Sequence, residues 1–220
     1  MKKLLCVMMA VILMLPCFLT IPVAAAEEDW TSDEQFMQMA KKTFPEYSDK
    51  LEQNASTYKN NMTERAATDV TVAVKETRAV DKNTVMTYTE YDNGLVTLAA
   101  ARFKISKDLI IHDSETHSNY ELFTATIKAS VVEGPSFTAK NLQYKIYPSD
   151  YDRIVSIGDY SIPNYSKDEF VCRVNKTETA DRCAYVYYDF SAPVGGEYYG
   201  GRVVFELYHN QTYVDFMILQ

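Results

Sequence analysis

Two carboxylates near the end of the chain carry the most explicit chemistry. The segment RVVFELYHNQTYVDFMIL alternates apolar and polar residues on both sides of a polar turn, the pattern of an antiparallel hairpin. A turn centred on Asn210 and Gln211 sets Leu207 across from Val214, Phe205 from Phe216 and Val203 from Ile218, an entirely apolar face. The other face then places Glu206 opposite Asp215, with Tyr208 beside Tyr213. Cross-strand Cβ atoms lie about 5 Å apart. At that separation two carboxylates can share a proton or hold a cation. They can also serve as acid and nucleophile, since retaining glycosidases keep two carboxyls about 5–5.5 Å apart. The competing reading is two charges pointing into water beside a neighbouring cation, with Arg202 on the Glu206 face as candidate. Charges on a wet face are common and cheaply screened, so this reading is preferred. No catalytic residue is expected, and Glu206 with Asp215 is the alternative.

A second cluster, IHDSETH, gathers His112, Asp113, Glu115 and His117 in a polar connection. All four types ligate metals and histidine suits zinc. The spacing matches no H-E-x-x-H signature, so a solvated loop is preferred and these four are weak metal candidates. No cofactor is expected, although a divalent cation would suit either carboxylate-rich place.

Cys172 and Cys183 flank the polar stretch NKTETAD between two alternating segments. They lack the C-x-x-C spacing of a redox pair, and no histidine lies near in sequence to complete a metal site. In an exported chain two remaining cysteines usually pair, so a Cys172–Cys183 disulfide is expected. The segment GGEYYGG reads as a mobile connection with an aromatic tip at Tyr198 and Tyr199. No helix follows it to present a dipole end to phosphate. Together with Tyr208 and Tyr213, this tip is the expected binding surface.

The elements that position these residues are mostly strands. The first residues, MKKLLCVMMAVILMLPCFLTIPVAAA, combine a lysine pair, an apolar core and small residues before Glu27. That is the form of a secretory signal peptide spanning 1–26, and it implies a secreted or extracytoplasmic product. Pro16 before Cys17 departs from a lipoprotein signal, and the apolar core is shorter than the about 20 residues of a spanning helix. No stable membrane insertion is expected after cleavage. Loss of the leader takes the formal charge from −8 to −10, which disfavours nucleic acid as a partner. An extracellular glycan or protein is the expected partner class.

Residues 27–62 read as a helical segment and linker. Thr31 with Glu34, or Ser32 with Gln35, offers a capping box. Phe36, Ala40 and Phe44 recur every four residues, and Pro45 should end the helix. Tyr47 and Leu51 extend the apolar face into a second short helix. A short amphipathic helix is marginal alone, so this face should pack on the domain that follows. Residues 63–220 read as an antiparallel β domain with no βαβ rhythm. Asp92-Asn93-Gly94 marks a hairpin turn. Phe123, Ala125, Ile127, Ala129 and Val131 share one face, as do Leu142, Tyr144 and Ile146. An edge or bulge is expected near Gly158.

The expected fold is mainly β: an antiparallel β-sandwich (immunoglobulin-like or jelly-roll type) or partly open barrel, with a short N-terminal helical segment packed on it. The expected function is an extracellular binding or interaction module without catalysis. The alternatives are a secreted hydrolase using the carboxylate pair and a purely structural envelope component.

Overall fold

The computed structural model describes residues 29–52, 71–105, 111–115, 117–132, 134, 136–147, 153–162, 170–176, 183–194, 197–208 and 211–219. Among these, the side chains of 170–176, 183–184, 190–194, 197–199, 207–208, 211 and 219 are not described. The expected leader and the linker before residue 71 lie outside the described residues.

Helix α1 (Asp33–Thr43) starts where the sequence places a cap. The Ser32 hydroxyl accepts from the Gln35 N–H, Asp33 and Glu34 occupy the first turn, and Lys41 and Lys42 the last. All three features complement the helix ends. Pro45 opens a 3₁₀ turn (Pro45–Tyr47), followed by the one-turn helix α2 (Ser48–Leu51).

The described strands form two antiparallel sheets that do not close into a barrel. The larger sheet orders β1 (Val72–Asp81), β2 (Thr84–Tyr91), β3 (Val96–Ile105), β5 (Ser118–Val131), β6 (Ser136–Ile146) and β7 (Arg153–Ser156). β4 (Ile111–Asp113) pairs with β5, and β8 (Tyr160–Ser161) with β6. The smaller sheet orders β12 (Gln211–Leu219), β11 (Glu197–Tyr208), β10 (Cys183–Val194) and β9 (Phe170–Lys176). The β2–β3 turn is the one read from Asp92-Asn93-Gly94. Gly94 has φ 87°, its N–H bonds to the Tyr91 carbonyl, and the Tyr91 N–H bonds to the Leu95 carbonyl. A left-handed residue in such a loop favours glycine.

The result is three layers. One core lies between the sheets. It joins Ala99, Ala101, Ala125, Ile127, Ala129, Phe137, Leu142 and Tyr144 of the larger sheet to Val186, Tyr188, Val203, Phe205, Val214 and Phe216 of the smaller. The second core lies on the opposite face of the larger sheet, where Met86, Tyr88, Val96, Leu98 and Ala100 meet Phe36, Ala40, Phe44 and Leu51. The expected helix stripe is therefore docked. Tyr47 stacks on Tyr88 with ring centroids 4.3 Å apart. Over the first six residues of β3 the middle layer has no wet face, which is why LVTLAAA there is buried on both parities, almost entirely by apolar residues.

Edge strand β12 is covered rather than exposed. The hydroxyls of Thr87 and Thr97 donate to the carbonyls of Val214 and Phe216, and the Ile218 N–H donates to the Tyr91 hydroxyl. Hydroxyls projecting from the larger sheet thus satisfy three backbone groups on the free side of β12, which blunts it as a template for intermolecular pairing.

The expected Cys172–Cys183 disulfide is absent. The β9–β10 ladder pairs Cys172 with Tyr188 and Ala184 with Lys176. Cys172 is therefore matched to a position five residues along β10 from Cys183, about 17 Å at the usual strand rise. A disulfide requires Cα atoms within about 7 Å. One cysteine sits at the turn end of the hairpin and the other partway down it, so flanking the same loop in sequence does not bring them together.

Candidate functional site

The terminal hairpin forms in a register two residues away from the expected one. Phe205 pairs with Val214 and Val203 with Phe216, so Glu206 faces Tyr213 and Asp215 faces Val204. The direct Glu206–Asp215 pairing is corrected, although the two remain on one face of the ladder. Asp215 is 1% exposed. It forms an ion pair with Lys75 of β1 and accepts a hydrogen bond from the Tyr213 hydroxyl at 2.9 Å. Burial opposes the Lys75 ammonium, but the hydrogen bonds and charges of Asp215 and Tyr213 outweigh it and raise its pKa. Burial likewise raises the Tyr213 phenol. The preferred reading set the carboxylates in water beside a neighbouring cation; Asp215 meets a cation, Lys75, but is buried rather than solvated. Arg202 instead forms a two-point pair with Asp189, at 2.5 and 2.8 Å. Asp215 fastens β12 to β1.

The IHDSETH connection is organised around Asp113, which is 6% exposed. Its carboxylate accepts from Lys145 Nζ at 3.0 Å, from the Tyr147 hydroxyl at 2.7 Å and from the Glu115 N–H at 2.9 Å. His112 Nδ1 lies 3.2 Å from Asn119 Oδ1 across the β4–β5 ladder, and His117 takes φ 55° in the turn. Asp113 ties this hairpin to the β6 end. Among the described residues, no three His, Cys, Asp or Glu side chains gather as a metal-ligating group.

From Glu197 onward the GGEYYGG segment is strand rather than a free connection, and its first two glycines lie outside the described residues. Tyr198 and Tyr199 lie within β11, opposite Pro193 and Ala192 of β10, and Tyr208 pairs with Gln211. The side chains of these three tyrosines lie outside the described residues. Tyr213 is half-buried against Lys75 and Asp215.

A cleft that the sequence did not disclose opens on the helix side of the larger sheet. It encloses about 350 Å³ and is lined by Asp29, Trp30, Thr31, Arg102, Phe103, Lys104, Thr124, Thr126, Lys140 and Asn141. Its floor follows from strand periodicity. Arg102 pairs with Thr126 and Lys104 with Thr124 across β3 and β5, and residues two apart on a strand share a face. β6 adds Lys140 and Asn141 through an irregularity in its ladder with β5, between the pairs Ala125–Leu142 and Ile127–Ala139. Asn141 has φ 59°, and bulges of this kind re-aim side chains. The bulge is held from behind: the Lys140 N–H bonds to the Asp159 carbonyl. A Cβ on Gly158 would come within 1.9 Å of the Lys140 carbonyl oxygen, so Gly158, expected to mark an edge or bulge, lies against the β6 irregularity, where only glycine fits.

The wall is the segment leading into α1. The Arg102 guanidinium lies 4.7 Å from the centroid of a Trp30 ring, and its Nε donates to the Thr84 hydroxyl at 3.0 Å. One hydrogen bond and one ring contact thus tether the cation at the cleft wall. The Asp29 carboxylate accepts from the Thr31 hydroxyl at 2.5 Å and the Thr31 N–H at 3.2 Å. Its pKa is lowered, foremost by that hydroxyl against a small cost of burial, with the charges of Lys140 and Lys128 assisting. Among the described residues, Arg102, Lys104 and Lys140 form no salt bridge. Three cations around one braced carboxylate make a locally positive cleft on a chain of net charge −8. Trp30 is the chain's single tryptophan, and Arg102 with Lys104 closes an otherwise apolar strand. Those features are the sole trace of the cleft in the sequence, and neither by itself brings the two segments together.

Comparison with protein-family models, curated proteins and solved structures found no match to this chain.

Proposed function

We propose that this chain is an exported, non-catalytic β-sandwich that binds an extracellular glycan in the cleft between the Trp30 segment and the larger sheet. The observation that carries the reading is the cleft itself. An indole, a tethered guanidinium and the Thr126 side chain converge around about 350 Å³, within the usual volume of small-ligand sites. Aromatic rings with a few placed polar groups suit sugar rings, which carry apolar faces and hydroxyl edges. The leader pattern supports export, and cleavage after Ala26 would leave Asp29 and Trp30 close to the new N-terminus. The hydrolase alternative loses its support, because Asp215 is buried and engaged by Lys75.

A glycan array probed with the protein, and in parallel with Trp30→Ala and Arg102→Ala, tests this reading. Wild type should retain a defined subset of glycans, both variants should lose it, and the bound glycan should be recovered chemically unchanged. A blank array, binding indifferent to both variants, or cleavage of the retained glycan would overturn it.

A further inference from the structure

The composition of the cleft goes further than binding, to the class of ligand. We infer that it selects a sugar bearing a carboxylate, a uronic acid residue, an assignment that rests on the binding reading above. The first argument is charge. A chain at −8 repels anions at long range, yet this cleft assembles Arg102, Lys104 and Lys140 from two non-adjacent strands. The single carboxylate among its lining residues, Asp29, is already bonded to Thr31, so it serves as an internal brace to the wall.

The second argument is the geometry of Arg102. Its Nε is used by Thr84 and its guanidinium carbon lies 4.7 Å from a Trp30 ring centroid, and no hydrogen bond from its two terminal nitrogens forms among the described residues, so these are the donors assigned to a ligand. A guanidinium held in this way matches the two oxygens of a planar carboxylate better than an ammonium does. Lys104 and Lys140 supply field around that contact rather than a second fork. The third argument is the floor. Thr126 of β5 lines it, and Asn141, with φ 59°, lines its β6 side. Neutral donors and acceptors at these places suit sugar hydroxyls. One firm anionic contact plus several neutral ones describes a uronic acid better than a phosphate, which would gain most from converging cations alone.

Calorimetric titration of the protein with tetragalacturonate, and with the same oligosaccharide fully methyl-esterified, isolates the carboxylate. The acid form should bind at least tenfold more tightly, and its affinity should fall as salt rises. Arg102→Lys should lose most of this preference while keeping the charge. Lys104→Gln with Lys140→Gln, at two exposed side chains, should weaken the acid form several-fold with an unchanged melting temperature. Equal binding of acid and ester, tighter binding of inorganic phosphate, or binding that these variants do not alter would overturn the assignment. Retention of neutral glycans in a Trp30-dependent way, with no preference for acid, would overturn only the ligand class. Absence of both kinds of binding would overturn the ligand class and the binding reading together.

Discussion

The Lys75 side chain on the first described strand is paired with the Asp215 carboxylate on the last, 140 residues away in sequence. This contact links an end strand of each sheet, β1 and β12, at a place where Asp215 is almost fully buried. A buried carboxylate that loses its cation is costly, whereas replacing both partners by apolar groups is often tolerated.

Lys75→Met should therefore destabilise the protein by about 2–3 kcal/mol, because Asp215 remains buried without its ammonium. Adding Asp215→Leu should recover part of that loss. Chemical denaturation of the two variants checks the ordering, and a double variant less stable than Lys75→Met contradicts it. The pH dependence has a defined sign. The folded-state pKa of Lys75 is raised above its ordinary 10.5, so the pair's contribution is complete below that value and fades as pH climbs through the folded value. The stability gap between wild type and Lys75→Met should narrow in strongly alkaline buffer. The narrowing should be modest, since the Lys75 side chain is 37% exposed.

Docking of α1 is a packing matter, and Phe36 is its plainest probe. The ring is 1% exposed in the core shared with Met86, Tyr88 and Leu98. Phe36→Ala should cost about 3–5 kcal/mol by loss of buried area and the cavity left behind. An unchanged melting temperature would contradict the three-layer architecture.

The strand register predicts two separate thiols at Cys172 and Cys183. Protein denatured without reductant should take up alkylating reagent at both positions, and its mass should not change on reduction. A mass increase of about 2 Da on reduction, the two hydrogens gained by a broken disulfide, would contradict the β9–β10 register.

Much of this architecture is legible in local patterns. The Ser32 cap, the Phe36–Ala40–Phe44 stripe, the Pro45 stop and the Gly94 turn are each set by residues within one turn or loop. The terminal hairpin shows where such reading stops. Sliding it by two residues keeps Val203, Phe205, Val214 and Phe216 on the same face, because side-chain direction repeats every two residues. Apolar patterning thus excludes a one-residue slip but cannot choose between registers two apart. The cysteine expectation failed for a related reason: position along a hairpin depends on where the turn falls. The cleft was illegible for a different reason. Its residues come from the Asp29–Thr31 segment and from β3, β5 and β6, and only the packing of α1 brings the first against the others.

Trp30 offers the most direct test of the account, because it is the single tryptophan and forms the wall of the cleft. Its indole N–H gives one identifiable signal in a proton–nitrogen correlation spectrum. Adding tetragalacturonate should shift that signal progressively and saturably, together with the side-chain amide of Asn141 across the cleft. Arg102→Gln should abolish the shift while the rest of the spectrum stays dispersed as in wild type. A Trp30 signal that stays fixed while signals elsewhere on the sheets move would place binding outside this cleft and contradict the account.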